Sequence, residues 1–139
     1  MADILTKEKR SWNMSQIRGR DTRPEILLRS VIHRSGVRFR LHDNKLPGKP
    51  DIVLPRYKTA IFVNGCFWHR HEGCKYAYMP KSRIEFWESK FSRTVQRDAE
   101  KSRELMELGW HVFTAWECEI KNAPDELLER LLIFLKELN

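Results

Sequence analysis

The segment Ala60-Ile61-Phe62-Val63-Asn64-Gly65-Cys66-Phe67-Trp68-His69-Arg70-His71-Glu72-Gly73-Cys74 sets a short β-prone run against a loop crowded with soft metal ligands. Thiolate and imidazole are the donors Zn²⁺ selects, and a structural zinc site takes four of them in a tetrahedron. Cys66, His71 and Cys74 can supply three, and the remaining cysteine, Cys118, the fourth. That assignment uses every thiol. A disulfide scheme leaves one of the three over. His69 competes with His71 for the imidazole position; the spacing favours His71 and leaves His69 as a spare base.

Outward from this loop, short elements alternate. Thr22 can cap a helix, with Pro24 in its first turn and Glu25 closing a capping box. Leu28, Val31 and Ile32 continue at helical spacing, and Gly36 supplies a stop. Val37, Phe39 and Leu41 alternate with Arg38 and Arg40, which predicts a half-buried strand. Leu46-Pro47-Gly48-Lys49-Pro50 is turn chemistry. Asp51 to Leu54 and Ala60 to Val63 predict paired central strands. A helix is expected from Ile84 to about Leu108, with a stripe through Trp87, Phe91, Val95, Ser102 and Leu105. Trp110 to Trp116 predicts a further buried strand, and a last helix opens at Pro124. The whole is an α/β domain with a mixed sheet between helices.

The chain of 139 residues suits one domain, and no apolar run approaches the roughly 20 residues that span a bilayer. The N-terminus lacks an apolar signal core, and three free thiols suit a reducing cytoplasm, so a cytoplasmic protein without membrane attachment is expected. The formal charge is +7, with the basic residues crowded into the first forty positions and the C-terminal segment mostly acidic. Segregated positive charge points to a polyanion partner. Residues 1–20 read as a basic arm ordered by that partner, and 21–139 as the folded domain.

Several residues can do chemistry. Asp51, entering a strand after Pro50, can hold a hard divalent cation, with the Val63 carbonyl as a second oxygen; an aspartate merely closing a turn is the competing explanation. His69 can deprotonate an attacking water. Asp98 falls on the apolar stripe of the long helix, where a buried carboxylate needs a partner such as a histidine. Glu25 is already explained by the capping box. Phe67 and Trp68, held on the ligand-rich loop, can wedge between base pairs. Trp87 reads first as core.

At these residues the chain resembles the very short patch repair endonucleases. The resemblance runs from Arg10-Ser11-Trp12-Asn13-Met14 through Asp21-Thr22, Leu46-Pro47-Gly48-Lys49-Pro50-Asp51, Gly65-Cys66-Phe67-Trp68-His69 and Glu85-Phe86-Trp87 to Leu108-Gly109-Trp110 and Trp116-Glu117-Cys118. It implies a restriction-endonuclease-like fold of the PD-(D/E)xK type with a structural zinc. It also implies Mg²⁺-dependent nicking of one strand of duplex DNA, 5′ to the T of a T·G mismatch left by 5-methylcytosine deamination. Asp51 and the Val63 carbonyl would bind Mg²⁺, and His69 would be the general base supported by Asp98, with Glu25 nearby. Cys66, His71, Cys74 and Cys118 would bind zinc. Phe67, Trp68 and Trp87 would intercalate, Met14 would cross the minor groove with the arm, and Lys90 would read the mismatched pair. A monomer suffices for one nick, and repair proteins would act downstream. The chain departs from the family pattern at Val63-Asn64, where a member carries Thr-His, at Thr94, where one carries asparagine, and in the extra residue between His71 and Cys74.

Overall fold

The computed structural model describes residues 22–138, so the arm of residues 1–20 and Met14 lie outside the described residues. Helix α1 spans Arg23–Arg34, β1 Arg40–Leu41, β2 Ile52–Leu54, β3 Thr59–Asn64, α2 Ile84–Glu107, β4 His111–Trp116, α3 Glu117–Asn122 and α4 Pro124–Glu137. Among the described residues the strands form one mixed sheet in the order β1-β2-β3-β4. β1 and β3 run antiparallel to β2, whereas β3 and β4 are parallel. No helix among these residues is long and apolar enough to cross a membrane.

Local chemistry explains the outer elements. Thr22 holds extended backbone and its hydroxyl accepts the Glu25 N–H at 3.4 Å, satisfying a donor that the first turn of α1 leaves open. The helix closes at Ser35, and Gly36 takes the left-handed conformation at φ +87° that a residue with a Cβ resists.

The sheet is the core. Ile52 and Leu54 of β2, Ile61 of β3, and Phe113 and Ala115 of β4 point to one face, where they meet Leu28 and Ile32 of α1, Ile120 of α3, and Leu127, Leu131 and Leu135 of α4. The period of two then sends Phe62 and Thr114 to the opposite face. There they join residues of α2 in lining a cleft. Parallel strands need a long crossover; the loop after Asn64 and helix α2 supply it.

Three expectations differ from the structure. The strand predicted from Val37 to Leu41 shrinks to Arg40–Leu41, and both residues are exposed. Val37 and Phe39 still pack against the core, but from irregular backbone. The apolar stripe of α2 buries only Phe91 and Leu105, and Val95 is exposed; the helix lies over a cleft, so its middle turns have nothing to cover them. Finally, Cys118 sits in the short helix α3, anchored by the fully buried Ile120.

The turn before β2 is tight for a steric reason. Gly48 has φ +78°, and a Cβ added there would lie 3.0 Å from the Lys101 Cβ and 3.1 Å from the Phe62 ring. Replacement by Ala therefore incurs both left-handed strain and overpacking. Gly48→Ala should lower unfolding free energy by about 2 to 4 kcal/mol, read from the urea midpoint at constant slope. A shift below about 0.5 kcal/mol would show that the turn relaxes freely.

Candidate active site and metal centre

Asp51 stands at the mouth of β2. Its N–H donates to the Ile61 carbonyl at 3.1 Å, and its carboxylate accepts the Val63 N–H at 2.7 Å. The side chain thus faces the Val63 backbone in a cleft of about 360 Å³, also lined by Asn64, His69 and Asp98. Burial pushes the Asp51 carboxyl up to about 7 against the opposing Val63 hydrogen bond, and the neighbouring Glu25 carboxylate raises it further.

Glu25 is nearly inaccessible; its N–H takes the Thr22 cap as read from sequence, while its carboxylate faces Arg29 and His42. It accepts from Arg29 at 3.2 Å and lies 3.9 Å from His42, whose Nε2 is 2.9 Å from the same guanidinium. Donor atoms of Glu25, His42 and Asp51 fall within 4.8 Å of one another, a group that can hold a metal ion. Among the residues lining the cleft Glu25 does not figure; it lies behind Asp51.

His69 caps the other side. Its backbone N–H closes a turn onto the Gly65 carbonyl, and its Nδ1 lies 2.7 Å from the Asp98 carboxylate. That contact selects the tautomer in which Nδ1 donates and Nε2 keeps its lone pair. Asp98 is therefore not the core-facing carboxylate expected from the stripe. Its side chain is 38% exposed, and its place on α2 is explained by the histidine it meets across the cleft.

The loop after β3 folds back on itself beyond His69. The His71 N–H donates to the Cys66 carbonyl and the Cys74 N–H to the His71 carbonyl, with Gly73 left-handed between them. Cys66, His71, Cys74 and Cys118 then place their donor atoms within 4.8 Å of one another, Cys118 Sγ being 3.4 Å from His71 Nδ1. The imidazole is stacked on Trp116, with ring centroids 4.2 Å apart and planes 7° apart. Three thiols and one imidazole converging this closely fit Zn²⁺ by donor type and number. Burial pushes the Cys66 thiol up to about 12 and raises Cys118, while the Tyr76 backbone N–H lowers Cys74. A bound cation reverses the first two shifts, since coordinated thiols ionise.

The aromatic residues form one cluster. Phe67 touches Trp68, Tyr78, Trp87 and Phe91 with centroids 5.1 to 5.6 Å away. It is half-buried, so of the two neighbouring loop rings Trp68 is the one open to solvent. Trp68 is exposed, and the Lys90 ammonium lies 5.6 Å from its ring. Trp87 is half-buried against Phe91 and Phe86. Thr94 turns its hydroxyl back to the Lys90 carbonyl at 3.1 Å.

Sequence reasoning passed over three residues that build this site. Arg29 was readable as the i+4 partner of Glu25, but His42 lies on irregular backbone with no pattern to announce it. Arg70 donates to the carbonyls of Phe67, Ala77 and Tyr78 at 2.8 to 3.1 Å and lies 3.9 Å from the Phe91 ring. It staples the two ends of the loop.

Comparison with known proteins matches a family model described as DNA mismatch endonuclease Vsr over residues 2–75. The chain is 42% identical to the type II nicking enzyme V.NmeAIP of Neisseria meningitidis, covering 99% of both. It is 45% identical to the type II nicking enzyme V.XorIIP of Xanthomonas oryzae, over 88% of this chain and 89% of that one. The DNA mismatch endonuclease Vsr of Escherichia coli is 42% identical over 94% of this chain and 86% of its own.

Arg70 generates a direct test. Arg70→Ala leaves three loop carbonyls without their charged donor and should cost about 2 kcal/mol in urea unfolding. Arg70→Lys should recover little, because one ammonium cannot reproduce the planar fork. Full recovery by lysine would show that charge alone holds the loop.

Proposed function

The chain belongs to the Vsr family of DNA mismatch endonucleases, and from that membership we propose that it nicks one DNA strand 5′ to the T of a T·G mismatch, with Mg²⁺ as its catalytic cation. One observation carries the reading: Asp51, His69 and Asp98, from three separate segments, converge on a single cleft. An oxygen ligand, a base and an orienting carboxylate are the parts metal-assisted phosphodiester hydrolysis needs.

Asp51 would hold the Mg²⁺, with the Val63 backbone carbonyl as a second oxygen. When bound, the ion supplies a Lewis acid for the phosphate oxygens. His69 takes the proton of the attacking water at Nε2, while its Nδ1–H stays on Asp98. The carboxylate holds the ring in line and stabilises the imidazolium that results. Glu25 lies behind Asp51, where its charge raises the Asp51 carboxyl and is itself answered by Arg29.

Cys66, His71, Cys74 and Cys118 would bind a structural Zn²⁺, tying the aromatic loop to the sheet; metal analysis finding no zinc retained by the purified chain would remove this part. Trp68 is the exposed ring that wedges into the helix, with Phe67 and Trp87 as its backing and Lys90 beside it. Met14 and the arm of residues 1–20 would reach the minor groove. We read the mixed sheet with Asp51 at a strand mouth as restriction-endonuclease-like. One cleft makes one nick, so a monomer acts, and repair proteins take over the nicked duplex.

Single-turnover nicking of a T·G duplex compared with its matched T·A counterpart tests the reading. His69→Ala should slow the T·G cut by about 10²- to 10⁴-fold, and Asp51→Ala should abolish the Mg²⁺ response. Undiminished cutting by Asp51→Ala would defeat the mechanism, and equal cutting of both duplexes would defeat the mismatch preference.

A pH dependence follows from Asp51. Its carboxyl is raised from 3.8 to about 7, so Mg²⁺ must displace a proton below that pH. Apparent Mg²⁺ affinity should rise about tenfold per unit as pH climbs to 7 and then level off. Calorimetry in buffers of different ionisation enthalpy should register the released proton. An affinity flat from pH 5 to 8 would contradict this.

A further inference from the structure

Three cations line the cleft beside the residues already placed: Lys49, Arg97 and Lys101. Phosphodiester hydrolysis concentrates negative charge on the non-bridging oxygens, and a fixed cation there lowers the barrier. Arg97 immediately precedes Asp98 and so projects about 100° around α2 from it. It is also exposed. Lys101 follows Asp98 by three positions and shares its face.

The stem of Lys101 is held in place by the turn at Gly48, whose missing Cβ would fall 3.0 Å from the Lys101 Cβ. Packing the aliphatic stem leaves the ammonium as the mobile part. That ammonium lies 3.4 Å from the Glu104 carboxylate, in a pair whose side chains are 38% and 41% exposed. Pairs this exposed contribute roughly 0–1 kcal/mol, so a phosphate with several anionic oxygens can displace Glu104.

We propose that Lys101 leaves Glu104 when DNA enters and contacts the non-bridging oxygens of the phosphate being cut, as a catalytic residue of this cleft. The inference rests on the nuclease reading and adds to it a cation from α2, set apart from the oxygen ligand Asp51. It also accounts for a glycine at position 48, since a side chain there would push the Lys101 stem away.

The test uses Lys101→Gln, which keeps most of the stem and removes the charge, in the full chain. Binding of a T·G duplex without divalent ions is measured across a salt series, and single-turnover nicking is measured with Mg²⁺. The slope of log affinity against log salt should shrink by about 0.9. The nicking rate at saturating DNA should fall about 10²-fold, and Lys101→Arg should restore the slope. Arg103→Gln removes the same charge from the same helix outside the cleft and serves as comparison. An unchanged slope in Lys101→Gln, or equal losses in Arg103→Gln, would overturn the proposal. A wild-type chain that shows the Lys101-dependent slope yet cuts nothing would sink the nuclease reading and leave the phosphate contact standing.

Discussion

Parallel pairing of β3 with β4 is the constraint from which the site descends. Because Asn64 and Trp116 are register partners, both strands finish at the same end of the sheet. Cys66 and Cys118, each two residues past its strand, are brought together by that register alone. An antiparallel pair would have sent them to opposite ends. The same pairing demands a long crossover, and that crossover holds His69, the aromatic cluster and Asp98.

The sheet thereby carries two clusters of ionisable donors, one at the mouth of β2 and one just past the ends of β3 and β4. At the mouth of β2, Asp51 and Glu25 crowd two carboxylates into a poorly solvated place, so one keeps a proton near neutral pH or a cation must intervene. Arg29 answers part of that charge. Past the end of β3 burial acts the same way on two of the thiols, raising Cys66 and Cys118, while the Tyr76 backbone N–H lowers Cys74. The donors of the two clusters differ in softness, two carboxylates with an imidazole at the first and three thiols with an imidazole at the second.

Between these clusters lies the loop that presents the rings. Arg70 binds three of its carbonyls while covering Phe91, so a single side chain ties the loop together. Phe67 is sacrificed to packing, and Trp68 stands on it. A ring presented to solvent keeps its orientation only over a rigid base of this kind, since an unsupported ring folds back onto the protein.

Much of this was legible in the residues. Thr22 and Pro24 announced α1, the β-prone runs announced β2 and β3, and the Cys66–Cys74 spacing marked a convergence of soft donors, because each depends on neighbours in sequence. The two-residue β1 was overstated because alternation shows only which side chains prefer burial, and the sheet edge offered Val37 and Phe39 no partner. Asp98 was found for a reason the structure did not uphold: the apolar stripe pointed to it, yet it faces His69 across an open cleft. Helix α3 escaped notice because its burial rests on Ile120 meeting distant helices. Local periodicity and ligand spacing therefore belong to the sequence. The inward turn of Glu25, its meeting with Arg29 and His42, and the packing of Lys101 beneath Gly48 were decided by tertiary structure, because each is a contact between segments that only the sheet brings within reach.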